Sequence, residues 1–482
     1  MKPILLIHGY SSEGKKSSAK DIYGSLPRDL REAFGNGVVQ ELDLSRWISL
    51  SDGVRIDDVS FAMDRALKAR FANLLSTGFH VVIHSTGALV VRNWIKNHSP
   101  KPCPIENFVH LAGANFGSGL AHIGQGQLSR WGRLLFLHTG RGHHVLNELE
   151  FGSWKSLDMH RFFLEPAQDM YRDYEVQEFC VIGSHIERPL RAIPIRYIKE
   201  DSSDNTVRTS ACNLNFNYVP IKARPEAFKL SHAKLKELID SRQANQSIVD
   251  TNYQSDQSFM QSHRQKVPFA VAYETSHFGD GVGIVSGEKN RKQIVPLLKA
   301  ALETPYDTLA YAKVAAKFEK TTERTFARVA KLKAKLTKWD RQSQYEAHSQ
   351  LIIRVKDQYG RGVRDFDITF KSTSVGTKTP LETLIEDRHD NRQNDGTATF
   401  YFRTQEFSTK KKIWQDRLAN IAPMHLEITG EETDSPDIEF IPLDIQFSAQ
   451  ELKNMFKHFQ TTILDIELVR LPKRAVFSIK KT

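Results

Sequence analysis

Apolar positions along the chain fall into two textures. Over the first 115 residues, short apolar runs read as strands: PILLIHG (3–9), VVQELDL (38–44), FHVVIHS (79–85) and IENFVHLAGA (105–114). Between them, residues 57–76 carry apolar positions at helical spacing with Asp57 as the expected N-cap, and TGALVVRNWIKNH (86–98) reads as a second helix. Strands alternating with helices predict an α/β fold, a doubly wound and mostly parallel sheet covered on both faces. Ligands of such sheets bind at the carboxyl ends of the strands.

Residues 116–175 interrupt the alternation with Trp131, Leu134, Leu135, Phe136, Trp154, Phe162 and Phe163. A mostly helical insertion of that size over the strand ends would form a cap. The alternation resumes at VQEFCVIGS (176–184) and ends with VPFAVAYE (267–274), and the polar stretch 221–266 between them reads as an excursion with a helix at 226–242. The first domain is therefore expected over residues 1–290.

Residues 291–347 read as a helical, basic connector. Within 313–341 there are ten Lys/Arg against three Asp/Glu, and Val314, Phe318, Val329, Leu332, Leu336 and Trp339 form one apolar stripe. The stripe predicts a helix packed on the body with its lysines in water, and its alternative is a membrane-facing amphipathic helix. From 348 to 482 the texture changes to short alternating runs joined by turns (LIIRVKDQYGRGVRDFDITF, NDGTATFYF, MHLEITG, TTILDIELVRL), which predict a C-terminal β-sandwich.

The length of 482 residues suits two or three such domains, and a 40% hydrophobic content fills their interiors. No apolar run reaches the roughly 18 residues that span a bilayer. The apolar stretch 4–7 is too short for a signal-peptide core, so the expected location is cytoplasmic, or outside the cell by a route without a cleaved leader. Cys103, Cys180 and Cys212 offer neither a disulfide framework nor metal spacing. A net charge of +10 admits an anionic partner, a membrane surface before nucleic acid, or simply a solvated basic surface.

The opening MKPILLIHGYSSEGKKSS (1–18) raises a choice. Gly9, Gly14 and Lys15 approach a phosphate-binding loop, but that motif needs Ser or Thr directly after the lysine to ligate magnesium, and Lys16 stands there. VVIHSTGALVV (81–91) decides the matter, because a strand runs into Ser85 and a helix starts at once. This is the pattern of a nucleophile elbow, with Gly87 present and Ile83 in place of the usual first glycine. A serine needs a base and an orienting acid, in the chain order Ser, Asp or Glu, His. Asp204 follows the strand 176–184, with Asp201 as a competitor. His277 follows the strand 267–274, with His232 and His263 as competitors that no strand precedes. His84 is expected to point away from the elbow. His122, His138, His143 and His144 lack a carboxylate at fixed spacing, so they read as surface histidines and no metal is expected.

HGY (8–10), HSTG (84–87), LAGANFGSGLA (111–121), SDNTVRTSA (203–211) and SHFGDGVGI (276–284) together resemble the α/β-hydrolase superfamily, most of all its lipase-like serine esterase branch. The resemblance covers about residues 1–290 and stops before the β region. It departs from the branch's pattern at Ile83, at Ala114-Asn115 in place of Thr-Pro, and at Asn205 in place of glycine. It implies an oxyanion hole from the amides of Tyr10 and Thr86, an acyl-enzyme on Ser85, a lipid or other hydrophobic acyl-ester substrate, and no cofactor. Two alternatives stay open: a non-catalytic interaction protein on a degenerate hydrolase fold, its β region the partner module, and a toxin-like lipase delivered into other cells.

Overall fold

The computed structural model describes residues 1–8, 22–49, 51–119, 143–185, 201–243, 252–256, 265–332, 342–391 and 394–472. The chain divides into two units: Met1–Asn215 with His263–Ala347 and Phe407–Trp414, and Phe216–Ser262 with His348–Glu406 and Gln415–Thr482.

In chain order, the first unit supplies strands β1 (Ile4–His8), β2 (Val39–Asp43), β3 (Phe79–His84), β4 (Ile105–Leu111) and β5 (Gln177–Gly183). The chain then leaves for β6 (Phe216–Ala223) and β7 (Tyr253–Ser255) of the second unit and returns for β8 (Phe269–Ala272). The sheet order is β2-β1-β3-β4-β5-β8, and every pairing is parallel. Its longer described helices include α1 (Leu26–Phe34), α2 (Ile56–Arg70), α3 (Gly87–His98), α4 (Trp154–Phe162), α5 (Arg291–Leu302) and α6 (Thr308–Ala330). β1 and β5 are buried at every position, as strands covered on both faces must be.

Polar bonds pin the layers. On α3, Trp94 Nε1 donates to Asp64 Oδ1 of α2 at 3.2 Å and Asn93 Nδ2 to Ser60 Oγ at 2.6 Å. Arg92, also on α3, meets Glu178 of β5 at 2.6 Å, with His110 Nε2 of β4 3.2 Å from the same carboxylate. Burial alone would raise the Glu178 carboxyl; Arg92 and His110 outweigh it and hold the group well below the usual range. β8 is an edge strand, and α6 covers it: Val271 N donates to Thr322 Oγ1 (3.0 Å) and Thr325 Oγ1 donates to Val271 O (2.8 Å).

The expected helix over 57–76 is two helices, α2 and Ala72–Thr77, separated at Phe71. Asp57 lies in the first turn of α2 rather than at its cap; Arg55 is the N-cap, and its amide donates to Asp58 Oδ2 at 2.9 Å. Of the expected stripe, Phe318 and Val329 are buried together with Tyr311, Ala315 and Thr325, Val314 and Leu332 are partly buried, and Leu336 and Trp339 lie outside the described residues. Within the expected cap, Trp154–Phe162 packs on α3, with the Arg92 guanidinium 4.8 Å from the Phe163 ring centre, so this part belongs to a helical layer of the sheet. Trp131, Leu134, Leu135 and Phe136 lie outside the described residues.

The second unit continues the strand list with β9 (His348–Asp357), β10 (Asp365–Ser372), β11 (Ile385–Asp390), β12 (Thr397–Arg403), β13 (Met424–Glu431), β14 (Leu443–Phe447) and β15 (Thr461–Leu468). One sheet runs β11-β12-β9-β15-β6-β7 and another β10-β13-β14. Val219, Ile353, Phe400, Leu426, Ile445 and Ile466 belong to one shared core, the arrangement of a sandwich. Across the larger sheet, Asp465 accepts two bonds of 2.9 Å from Arg354 and one of 3.0 Å from Lys356. Burial acts to raise the Asp465 carboxyl, yet these cations and Tyr218 hold it down to about 2.

One boundary needs correction. The stretch 221–266, read as an excursion of the first domain, carries the end of β6 and all of β7, and β6 pairs in parallel with β15 from Phe216↔Thr461 to Ile221↔Ile466. A parallel partner 245 positions along the chain leaves no local signal (Asn217 Nδ2 to Thr462 Oγ1 spans that separation). The chain also returns to the first unit at Phe407–Trp414, where Trp414 Nε1 donates to Phe326 O of α6 at 3.2 Å. No described helix is long and apolar enough to cross a membrane.

A cut after residue 345 should therefore fail as a domain boundary. It strips β15 from β6 and exposes Val219 and Ile221, so the 1–345 fragment should be largely insoluble or aggregated. Soluble yield and size-exclusion chromatography check this, and a monodisperse 1–345 fragment would contradict the pairing.

Candidate active site

Three parallel strands of the first unit, β3, β5 and β8, lead into the segments that carry Ser85, Asp204 and His277. β3 ends at His84, and Ser85 follows with a φ of 54° before α3 begins at Gly87. Left-handed backbone at a non-glycine residue costs about 1–2 kcal/mol, and the surroundings hold it. Ser85 N donates to Leu111 O, and Ala114 N donates to Ser85 O, each at 3.2 Å. Ser85 is 7% exposed, and its Oγ has no hydrogen-bond partner among the described residues. The α3 N-terminus directly behind it favours negative charge at this point.

Ile83 explains its own departure from the elbow pattern. A Cβ placed on Gly87 would lie 3.1 Å from Ile83 Cβ, so the strand's side chain occupies the room where helix and strand approach. One small residue at the crossing suffices, and here it is Gly87.

The loop after β5 carries Asp204, fully buried. Asp204 Oδ1 accepts from Thr206 N (3.1 Å) and Val207 N (2.8 Å), and Asp204 N donates to Val207 O at 3.1 Å. That tight turn requires Asn205 at φ 77°, the conformation glycine holds in the related pattern and asparagine tolerates. The loop after β8 carries His277, also fully buried. His277 Nδ1 lies 2.8 Å from Asp204 Oδ2, and His277 N donates to Asp204 O at 2.9 Å. Side chain and backbone thus fix the ring together. Its Nε2 has no partner among the described residues. Behind His277, a Cβ on Gly283 would lie 2.5 Å from Gly279 O, so the glycines let this loop fold onto itself.

The structure thus joins Asp204 and His277, and it is Asp204, not Asp201, that meets the imidazole. Ser85 connects to them through its neighbour: the His84 and His277 ring centres are 4.4 Å apart. His84 does not point away, because the positive φ at Ser85 ends the strand's alternation next to it. Burial, and then the nearby His277, hold the His84 imidazole well below its ordinary titration range, so it stays neutral. Sequence reading missed this contact; an elbow's break in alternation was the available signal.

Thr86 makes the turn into α3 at φ −57°, and its amide donates to no other described residue. Gly9 and Tyr10 lie outside the described residues, as do Lys15, Lys16, His122, His138 and His263. His143 Nε2 is 3.9 Å from Asp52 Oδ1 on the surface, and no cluster suited to a metal ion occurs among the described residues.

Neither a protein-family model nor a curated protein sequence matches the chain. Solved structures do. Phospholipase PlaB from Legionella pneumophila aligns with a TM-score of 0.77 and 22% identity, covering 100% of this chain and 97% of that one. Its complex with thio-NAD aligns with the same TM-score, identity and coverage. The likeness extends through both units and is one of fold: a parallel sheet with helices, followed by a β region.

The Asp204 turn yields a test that does not depend on activity. Asn205→Gly should be tolerated to within about 1 kcal/mol, whereas Asn205→Val, forced to the same φ, should cost about 1–2 kcal/mol more. Urea denaturation of the two variants checks this; equal stability would contradict the strained turn.

Proposed function

We propose that the chain is a serine carboxylic-ester hydrolase of lipase or phospholipase type, with Ser85 as nucleophile, His277 as base and Asp204 as the orienting acid. The observation that carries this reading is the buried Asp204–His277 pair: the imidazole's Nδ1 is engaged at 2.8 Å and its Nε2 has no partner among the described residues, and its ring meets that of His84, the neighbour of a strained serine whose Oγ is likewise unpartnered. An imidazole held in this way is set to take a proton at Nε2.

In the reaction, Ser85 Oγ attacks the ester carbonyl carbon and its proton passes to His277 Nε2. Asp204 stabilises the imidazolium that forms. The carbonyl oxygen, now an anion, is received by the amides of Thr86 and Tyr10, each such donor contributing a few kcal/mol, on the order of 3. His277 returns the proton to the departing alcohol, leaving an acyl-Ser85 ester. Water then attacks that ester, giving a proton to His277, which returns it to Ser85 Oγ as the acyl–oxygen bond breaks and the acid leaves.

The substrate class rests on two supports. Trp131, Leu134, Leu135 and Phe136 add bulky apolar side chains to the segment between β4 and β5, and the whole-chain structural neighbour is named a phospholipase. The non-catalytic reading has weaker support, because a decayed site would be expected to have lost a member of the set, and Ser85, Asp204 and His277 are all present.

Ser85→Ala should fold normally and lose about 10⁴-fold or more in kcat on an acyl ester. For the unaltered enzyme, kcat/KM on a p-nitrophenyl ester series should rise with chain length, by roughly fourfold for each methylene that becomes buried, about 0.8 kcal/mol. Steady-state kinetics checks both. Activity retained in Ser85→Ala removes the nucleophile assignment, and a preference for acetyl over longer esters removes the hydrophobic acyl pocket.

A further inference from the structure

α6 buries one face and leaves the other to solvent. The buried face is Tyr311, Ala315, Phe318, Thr325 and Val329. On the exposed face, Lys313, Lys317, Lys320 and Arg324 follow at spacings of four, three and four residues, and Lys331 continues the line just past the helix end. Such spacing keeps side chains on one face of a helix, so these cations form a single rail about 27 Å long at 1.5 Å per residue. All five are exposed, and none has an acidic partner among the described residues. Of the two acids in the helix, Glu319 is already paired with Lys266, and Glu323 stands beside the rail.

The same face begins with an apolar end. Leu309, four residues before Lys313, is 71% exposed, and Tyr306, just before the N-cap Asp307, is 45% exposed. Tyr306 stacks on Tyr171, with ring centres 4.9 Å apart, and its hydroxyl donates to Tyr171 O at 2.7 Å. The aromatic is therefore fixed against Tyr171 by a defined bond while remaining partly exposed. Nothing in the acyl-transfer chemistry uses these groups.

We infer that the solvent face of α6 is a docking surface for an anionic phospholipid bilayer, with the cation rail on the headgroup phosphates and Leu309 and Tyr306 at the level of the acyl boundary. Lysines in a line attract an anionic lipid surface through summed charge, and an exposed leucine with a tyrosine is the chemistry of a membrane interface. The apolar end distinguishes this face from a nucleic-acid track, which would continue in polar and charged groups. The helix is also tied by Thr322 and Thr325 to β8, whose following loop carries His277, so the docked element and the reacting loop share one strand. The choice of lipid rests on the ester-hydrolase reading; the binding itself does not.

The experiment uses full-length Ser85→Ala protein, so that vesicles are not consumed, and co-sedimentation with phosphatidylcholine vesicles with and without phosphatidylglycerol, at low and high salt. A rail variant (Lys313, Lys317, Lys320 and Arg324 each to Gln) is compared with a control of equal charge change (Lys234, Lys236, Lys410 and Lys411 each to Gln). Binding should require phosphatidylglycerol, weaken with salt, and fall about tenfold or more in the rail variant but not in the control. Leu309→Ser should weaken binding in both salts. The rail and control variants in the Ser85 background should hydrolyse a soluble short ester alike, which certifies their folding. Equal binding by rail and control variants, equal binding to neutral vesicles, or no vesicle binding at all would overturn the inference. A DNA duplex displacing the vesicles through the same four residues would overturn it in favour of nucleic acid. Loss of ester hydrolysis in every protein, with vesicle binding intact, would instead count against the catalytic reading alone.

Discussion

The hydrogen bond between Asp204 and His277 is the constraint on which the site depends. Both residues are fully buried, and a carboxylate in that position is tolerable only if its lone pairs are used. The turn 204–207 uses one oxygen for two backbone amides and leaves the other for the imidazole. The His277 amide bonds back to the Asp204 carbonyl, so neither loop can shift without the other. Two loops far apart in sequence are thereby locked as one element, and the other edge of the imidazole is left without a partner among the described residues.

The rest of the first unit keeps that element in register with Ser85. Parallel pairing brings the ends of β3, β5 and β8 to one edge of the sheet. Arg92, one turn and a half into the helix behind Ser85, is bound to Glu178 at the start of β5, so the serine's helix and the aspartate's strand share a buried ionic contact. Breaking such a pair by removing one partner is costly, about 3–5 kcal/mol, because the survivor is left charged in the interior. Its value here is positional: it ties the helix behind Ser85 to the strand that leads to Asp204.

Much of this was legible in the sequence because it is written locally. Apolar runs gave the six strands of the first sheet to within a few residues, since strands covered on both faces need uninterrupted hydrophobic stretches. His277 could be chosen over His232 and His263 because it follows such a strand, whereas Asp201 and Asp204 follow the same strand and only the bond to His277 separates them. What escaped was non-local. β6 finds its partner in β15 near the chain's end, and β7, within the polar stretch, pairs with β6, so the segment reads as an excursion until the pairing is seen. His84 escaped for a different reason: strand alternation was extended one residue past the point where the positive φ at Ser85 breaks it. The stripe on α6 was read with two outcomes, and burial of Phe318 and Val329 selects the inward one.

The central claim is that Ser85 forms the covalent intermediate under the direction of the Asp204–His277 pair. Its most direct test is to react the full-length protein with a fluorophosphonate and map the adduct by tandem mass spectrometry, in parallel with His277→Ala. The account predicts a single stoichiometric adduct on Ser85, formed at least about 10³-fold more slowly when His277 is absent. An adduct on any other residue, or labelling of Ser85 at an unchanged rate without His277, would contradict it.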